Sequence, residues 1–306
     1  MPESQPGLGE LPWRGPGEGR PALPLPPGKM PLRFAGTTRK RWRYVGVFGE
    51  ELMLCAARVQ VGPLGQTFWA VLEREGGVLR ERTLYRLPGA RGEVWTEVED
   101  GATQWAPEGD CTTRIEGKDP RTGERVRAFL RVGGGRWVES ICPNGTGGFT
   151  WTRKRAGAPI SYDVRIGERR LRGEAFGIED ESAGYHPRHT VWSWSAGAGE
   201  LADGRTVAWN LVDGVNDPER NSERAIWVEG EPFEPEPVSF EGLEAVRFAS
   251  GERLEFTAEA ERAKSENRLV VRYSYRQPFG AFRGVLPGGL ELRRGLGVME
   301  HHDAVW

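Results

Sequence analysis

From Met30 onward the chain is written in short alternating runs. Trp42, Tyr44 and Phe48 share one parity while Arg41 and Arg43 take the other, and Phe68, Ala70 and Leu72 alternate with Trp69, Val71 and Glu73. The same holds for Val126, Ala128, Leu130 and Val132 against Arg127 and Arg131, and for Tyr162, Val164 and Ile166 against Asp163 and Arg165. Leu269, Val271, Tyr273 and Tyr275 alternate with Arg272, Ser274 and Arg276. A period of two sends successive side chains to opposite faces of an extended chain, so each run reads as a half-buried strand. Clusters of Gly, Asp and Asn separate the runs, and the 43 glycines supply the backbone angles that tight turns need. No segment keeps a helical period for about twelve residues. The best helical candidate, 256–267, also reads as a strand leading into a charged turn at 264–267. With roughly twenty such runs, the pattern predicts an all-β protein, an antiparallel barrel or sandwich pair with few or no long helices.

Residues 1–30 differ in texture. They are too rich in Pro and Gly for a packed helix or a central strand, and read as an extended or irregular arm that Trp13 could pin to the body. The turn-rich stretch RAGAPIS at 155–161 is the candidate junction between two β halves, 31–156 and 157–306. Charge adds an exclusion: 42 Lys+Arg against 44 Asp+Glu leave a net charge of -2, without the one-signed basic field that nucleic acid or an anionic membrane requires. The local cluster Arg39, Lys40, Arg41 and Arg43 is interleaved with Trp42 and Tyr44, as on the charged outer face of an edge strand, with anion contact as the alternative. Three cysteines, Cys55, Cys111 and Cys142, have neither zinc-site nor redox spacing. The first residues lack a signal-peptide pattern and no apolar run nears the ~18 residues of a membrane span, so the expectation is a cytoplasmic protein without a transmembrane segment.

Several segments are distinctive: KRWRYVGVFGEELMLCAA at 40–57, FTWTRK at 149–154, DESAGYHPRHTVWSWSAG at 180–197, VAWNLVDGVND at 207–217, SERAIWVEG at 222–230, YRQPFGAFRGVLPGG at 275–289 and GVMEHHDAVW at 297–306. Together they resemble the bacterial family known as domain of unknown function 2804, over nearly the whole chain, and that resemblance implies no assigned chemistry. A fainter similarity is to the two-barrel, lipocalin-related group that includes carotenoid 1,2-hydratases and tocopherol cyclases. It is carried by the stretch 185–194, with its Trp192-x-Trp194 pair, and by Trp209-Asn210. This chain has His-Pro-Arg-His-Thr where that group has Asp-His-(Asn/Gln)-Trp-Gly, so the similarity implies two lipocalin-like halves and not a reaction.

The candidate site is read from chemistry. If 186–194 is extended, His186, Arg188, Thr190, Trp192 and Trp194 point to one side and His189, Val191 and Ser193 to the other. Polar and aromatic groups on a shared face suit a ligand cavity in a small barrel. Asp180 and Glu181 precede the segment, and an imidazole beside a carboxylate is a workable acid/base pair near neutral pH. The roles expected are His186 as proton donor or acceptor, Asp180 as its orienting carboxylate and Arg188 as anchor for a polar end. Tyr185, His189, Trp192, Trp194, Trp209, Asn210 and Trp227 are expected to contact the ligand. The alternative is that His186 and Arg188 satisfy buried carbonyls at a turn made by Pro187. Asp213, Asn216 and Asp217 read first as turn chemistry, and Glu223 with Arg224 as a buried ion pair or a site. A metal reading would pool His186 and His189 with Glu300, His301, His302 and Asp303. Odd spacing on a strand sends the first pair to opposite faces, and no metal is expected.

Nucleotide-binding glycine loops, the G-x-S-x-G elbow and H-E-x-x-H are all missing from the sequence, and no cofactor is expected. The leading expectation is a protein that holds a hydrophobic small molecule, such as a lipid, terpenoid or pigment precursor, in an aromatic cavity. Cofactor-independent hydration, isomerisation or cyclisation would be its chemistry. A non-enzymatic carrier of the same ligands is the second reading. The third is a glycan-binding or glycan-processing β protein with Trp platforms and carboxylates about 5 to 10 Å apart.

Overall fold

The computed structural model describes residues 7–16, 19–87, 90, 92–98, 111–268 and 271–305. Leu269, Trp306 and the first six residues of the arm fall outside that range. Among the described residues the strands form an 11-stranded sheet, a 9-stranded sheet and a two-stranded hairpin, Arg33–Phe34 with Thr37–Thr38. The alternating runs are all antiparallel strands. The regular helix described is a 3-10 turn at Leu8–Glu10, and no helix is long and apolar enough to cross a membrane.

The first sheet runs in the order Val78–Arg86, Leu64–Glu73, Leu52–Val61, Lys40–Phe48, Arg169–Gly184, Phe149–Ile166, Arg125–Val132, Cys111–Lys118, Val94–Val98. It curls until the Glu93 backbone N–H donates to Thr67 (3.3 Å) and the Trp69 indole donates to Glu93 (2.9 Å), so its far strands meet. The second sheet runs Glu231–Phe233, Ala225–Val228, Thr206–Asp213, His189–Leu201, Leu290–Val305, Val271–Leu286, Arg253–Arg268, Ala245–Phe248, Val238–Glu241. The changeover between sheets falls at residues 185–188. RAGAPIS lies inside the strand Phe149–Ile166, where a bulge between Ala156 and Ala158 is turned by Gly157 at φ 71°. That bulge lets one strand pair with Val138–Pro143 in its first half and Arg125–Val132 in its second. Residues 264–267, expected as a turn, continue the strand Arg253–Arg268.

Period two decides where each side chain goes, but not in the half-exposed manner the sequence suggests. Val45, Val47, Leu54, Trp69 and Val71 fill the inside of the first sheet, while Val207, Trp209, Leu211 and Met299 fill the inside of the second. The opposite parity is buried as well, because the sheets pack back to back through Tyr44, Phe48, Met53, Trp194, Ala196, Ala208, Trp227 and Val298. Lys40–Phe48 is therefore a central strand and not an edge. Lys40 and Arg43 are buried, and Arg43 makes ion pairs with Glu179 and Glu181 inside the first sheet. The arm is pinned as Trp13 allows: Trp13–Gly15 pairs with Val138–Pro143, and Leu25 and Met30 pack with Ile141, Phe149, Trp151 and Tyr185.

Glycine sets the close approach in the second sheet. Gly197 pairs with Gly297 and Gly199 with Gly295, and the Trp209 indole lies on the floor that Gly197 and Gly295 leave open. A Cβ at Gly197 would stand 2.2 Å from Trp209 Cζ2. Gly197→Ala should therefore destabilise the protein by about 2 to 3 kcal/mol, read from the urea midpoint. In a Gly197→Ala/Trp209→Phe double variant the loss should be smaller than the sum of the single losses, because one clash is relieved by the other change.

Candidate functional site

Strand register assembles one polar and aromatic surface on each sheet. In the first, Phe68, Ala57, Tyr44, Asp180 and Lys154 stand side by side on successive strands. In the second, Val212, Trp194 and Glu300 form one such row, and Trp192, His302, Tyr275 and Lys264 the next. Residues directly opposite across a strand pair share a face, so all three rows are presented to the facing sheet. Where they meet, the packing leaves a cavity of about 120 Å³ walled largely by Trp42, Tyr44, Phe68, Trp192, Trp194 and Tyr275. Tyr44 meets Trp194 edge to face at 5.5 Å, Trp42 stacks parallel to Trp192 at 6.4 Å, and Trp192 meets His302 at 4.1 Å. Half-buried Val59, Gln66, Lys264 and Tyr273 mark the side nearest solvent.

Into this apolar space project a few polar groups. Glu300 is 8% exposed, and its carboxylate accepts from the Trp192 indole at 2.9 Å and from Gln277 at 2.8 Å. Among the described residues no Lys or Arg forms an ion pair with it. Burial pushes its carboxyl up to about 7, an effect that the Trp192 hydrogen bond opposes and the nearby Asp180 reinforces. At the other end Lys154, 2% exposed, binds Asp180 at 2.6 Å in its own sheet and Glu223 at 3.2 Å in the facing one. Burial works against the Lys154 charge, yet the two carboxylates hold its pKa above the ordinary lysine value. Burial raises Glu223, Lys154 pulls it back down, and Asp180 pushes it up again. Asn216 donates to Glu223 at 3.0 Å. Tyr44 and Tyr275 keep their phenolic protons well beyond the usual range, chiefly through burial.

The sequence-predicted residues are distributed over several environments. Asp180, Trp192 and Trp194 line the cavity, and Asn210 stands just behind it, accepting from the Trp194 indole (2.8 Å) and donating to the Glu223 carbonyl (2.8 Å). His186 is buried on the far side of the Trp42 ring, 5.1 Å between centroids, with neither ring nitrogen hydrogen-bonded. Burial, then the Lys40 and Lys154 charges, lower it to about 3. Its carbonyl accepts from Lys40 at 2.8 Å, and Asp180 is taken by Lys154. Arg188 and His189 are exposed, and His189 meets Asp303 at 2.8 Å. The parity argument holds from His189 onward, where the strand starts, and fails for residues 186 and 188, which precede it. Tyr185 packs on Phe34 at 5.1 Å and donates to the Pro31 carbonyl at 2.8 Å, beneath the arm. Trp209 points to the opposite face, inside the second sheet, and donates to Ser195 at 3.1 Å. Trp227 lies in the inter-sheet core and donates to the Arg136 carbonyl at 2.9 Å.

Glu223 and Arg224 are not an ion pair: Arg224 clamps the carbonyls of Asp217 (3.1 Å) and Pro218 (2.8 Å). Tyr44, Phe68, Lys154, Arg262 and Tyr275 were not read as a site in the sequence, and Glu300 entered only the discarded metal reading. The signal lay in the parity of Leu296, Val298, Glu300 and His302, a carboxylate on an otherwise apolar face. Among the described residues no group of three or more His, Cys, Asp or Glu is placed to hold a metal ion.

Residues 32–306 match a family described as a domain of unknown function (DUF2804). No curated protein sequence matches the chain. Among solved structures, a candidate AttH from Nitrosomonas europaea superposes with a TM-score of 0.51 at 13% identity, over 92% of this chain and 98% of that one, which shows a shared fold. Kievitone hydratase from Nectria haematococca gives a TM-score of 0.48 at 8% identity, over 89% and 90% of the two chains. CghA gives 0.42 at 11%, over 92% and 94%.

Two expectations follow from the electrostatics. His186 and His302, both held at about 3 by burial, should show imidazole NMR signals that do not titrate between about pH 5 and 8. Native Glu300 keeps its proton up to about 7, whereas a carboxyl at its ordinary 4.5 in the unfolded chain releases it earlier, so stability falls as pH rises across that interval. Glu300→Gln removes this loss: relative to the parent it should gain roughly 3 kcal/mol between about pH 4 and pH 8 in urea unfolding.

Proposed function

Because the chain belongs to the DUF2804 family, which brings no activity with it, we propose from the cavity itself that the protein binds a small hydrophobic molecule between its two sheets and moves a proton on it without a cofactor. The observation that carries this reading is Glu300: a buried carboxyl, hydrogen-bonded by Trp192 and Gln277, in no ion pair among the described residues although the Arg262 charge nearby favours its ionised form, set in an aromatic enclosure. Burying such a group is costly, and a carboxyl that exchanges its proton near neutral pH is what general acid/base catalysis requires. Its enclosure by indoles and phenols favours an apolar guest. At about 120 Å³ the space suits a single ring or one ring of a larger molecule, close to the ~150 Å³ that accommodates benzene in an engineered cavity. Hydration, isomerisation and cyclisation are reactions of this kind.

In this reading the proton passes through Glu300, with the Tyr275 hydroxyl beside it. His186 supports the Trp42 wall from behind, and Lys154 with Asp180 and Glu223 closes the far end. A carrier would use the same walls without the proton step.

The test is deuterium uptake. Protein incubated in D₂O with the apolar metabolite fraction of its host should label one compound by mass spectrometry, and Glu300→Gln should slow that labelling at least about 100-fold while the compound still binds. Binding without labelling in the parent identifies a carrier. Absence of any retained compound, together with no saturable binding of benzyl alcohol or benzoate, sinks the cavity reading.

A further inference from the structure

The cavity's two buried cations are treated differently by the fold. Lys154 is neutralised on both sides, by Asp180 at 2.6 Å and Glu223 at 3.2 Å. Arg262 lies at the Phe68 end of the first-sheet row, away from Lys154. It is 3% exposed, with its guanidinium 4.0 Å over the Phe68 ring and 4.8 Å from that of Tyr275. Its oxygen partners are Thr83 Oγ1 at 2.8 Å from Nη2, Glu81 Oε2 at 3.4 Å from Nε and the Tyr275 hydroxyl, and Glu81 also faces Arg121 at 3.8 Å. A guanidinium offers five donors in a planar fork, so these contacts leave donors over on a group that lines the cavity. Two aromatic faces hold it, and the walls beside it are largely apolar, which strengthens any pairing it makes.

We infer that the ring-sized guest carries a carboxylate that pairs with Arg262, while its ring lies against Tyr44, Trp192 and Trp194 with Glu300 alongside. The inference rests on the cavity reading above and adds the substrate class. A neutral guest would leave the guanidinium partly unmatched, whereas a carboxylate fits its fork with two parallel hydrogen bonds. A negative charge bound there also disfavours ionisation of Glu300 and keeps it in the proton-donating form.

Benzoate and benzyl alcohol, which share a ring and differ in charge, separate the possibilities in ligand-observed NMR titrations. The parent should bind benzoate at least tenfold more tightly than benzyl alcohol. Arg262→Gln should lose that preference while keeping benzyl alcohol affinity within about twofold, Arg262→Lys should keep part of it, and Ala57→Phe, which fills the cavity, should bind neither. Equal affinity of the parent for both probes overturns the inference and leaves the cavity reading standing, and this comparison needs no variant to fold. Survival of the benzoate preference in Arg262→Gln also overturns it. Failure of both probes to bind the parent overturns the inference together with the reading beneath it.

Discussion

The central strands of this protein have no solvent face along their middle stretches. Residues 43–48, 194–198 and 295–300 present one parity to the inside of their own curled sheet and the other to the neighbouring sheet. A polar side chain buried on these stretches or on the strands beside them must therefore find a partner inside the protein or stand against a space. Arg43 takes the first course with Glu179 and Glu181, and Lys154 takes it with Asp180 and Glu223. Glu300 and Arg262 take the second in part, and the cavity is where they do so.

The Lys154 contact has a further importance because it crosses between layers. Asp180 is its neighbour within the first sheet, but Glu223 arrives from the second on the loop that follows Asp213. Removing one partner of such a buried set leaves a charge uncompensated, which costs more than the pair contributes. The arm braces the same loop from outside, where Arg14 donates to the Ser222 carbonyl and Asn221 donates to that of Pro12 at 3.0 Å. The far end of the cavity is thus fixed by segments from three parts of the chain.

The fold class was legible because alternation is a local property: Trp42, Tyr44 and Phe48 do share a face, as do Val126, Ala128 and Leu130. What alternation does not reveal is whether the second face meets water or another sheet. That is why Lys40 and Arg43 read as an exposed edge. The candidate site was legible where a strand carried the argument, at Trp192 and Trp194, and the argument was lost where that strand had not yet begun, at His186 and Arg188; Asp180, read as the partner of His186, lines the cavity paired with Lys154 instead. Tyr44, Phe68, Arg262 and Glu300 were out of reach for a different reason. They meet only through the register of strands far apart in sequence and through the stacking of two sheets, and neither is encoded in any single segment.

The position of the hollow has a mechanical consequence. A pocket inside one barrel has its width set by strand number, and widening it means breaking the ladder. This one is bounded by two layers joined side chain to side chain, as by the Tyr85 and Tyr273 hydroxyls at its solvent side and, away from it, by the ion pair of Arg74 with Glu259. A small shear of one layer over the other changes the gap without sacrificing a main-chain hydrogen bond. For the guest proposed above, entry by sliding of the layers would leave both ladders intact, whereas entry into a single barrel would break one.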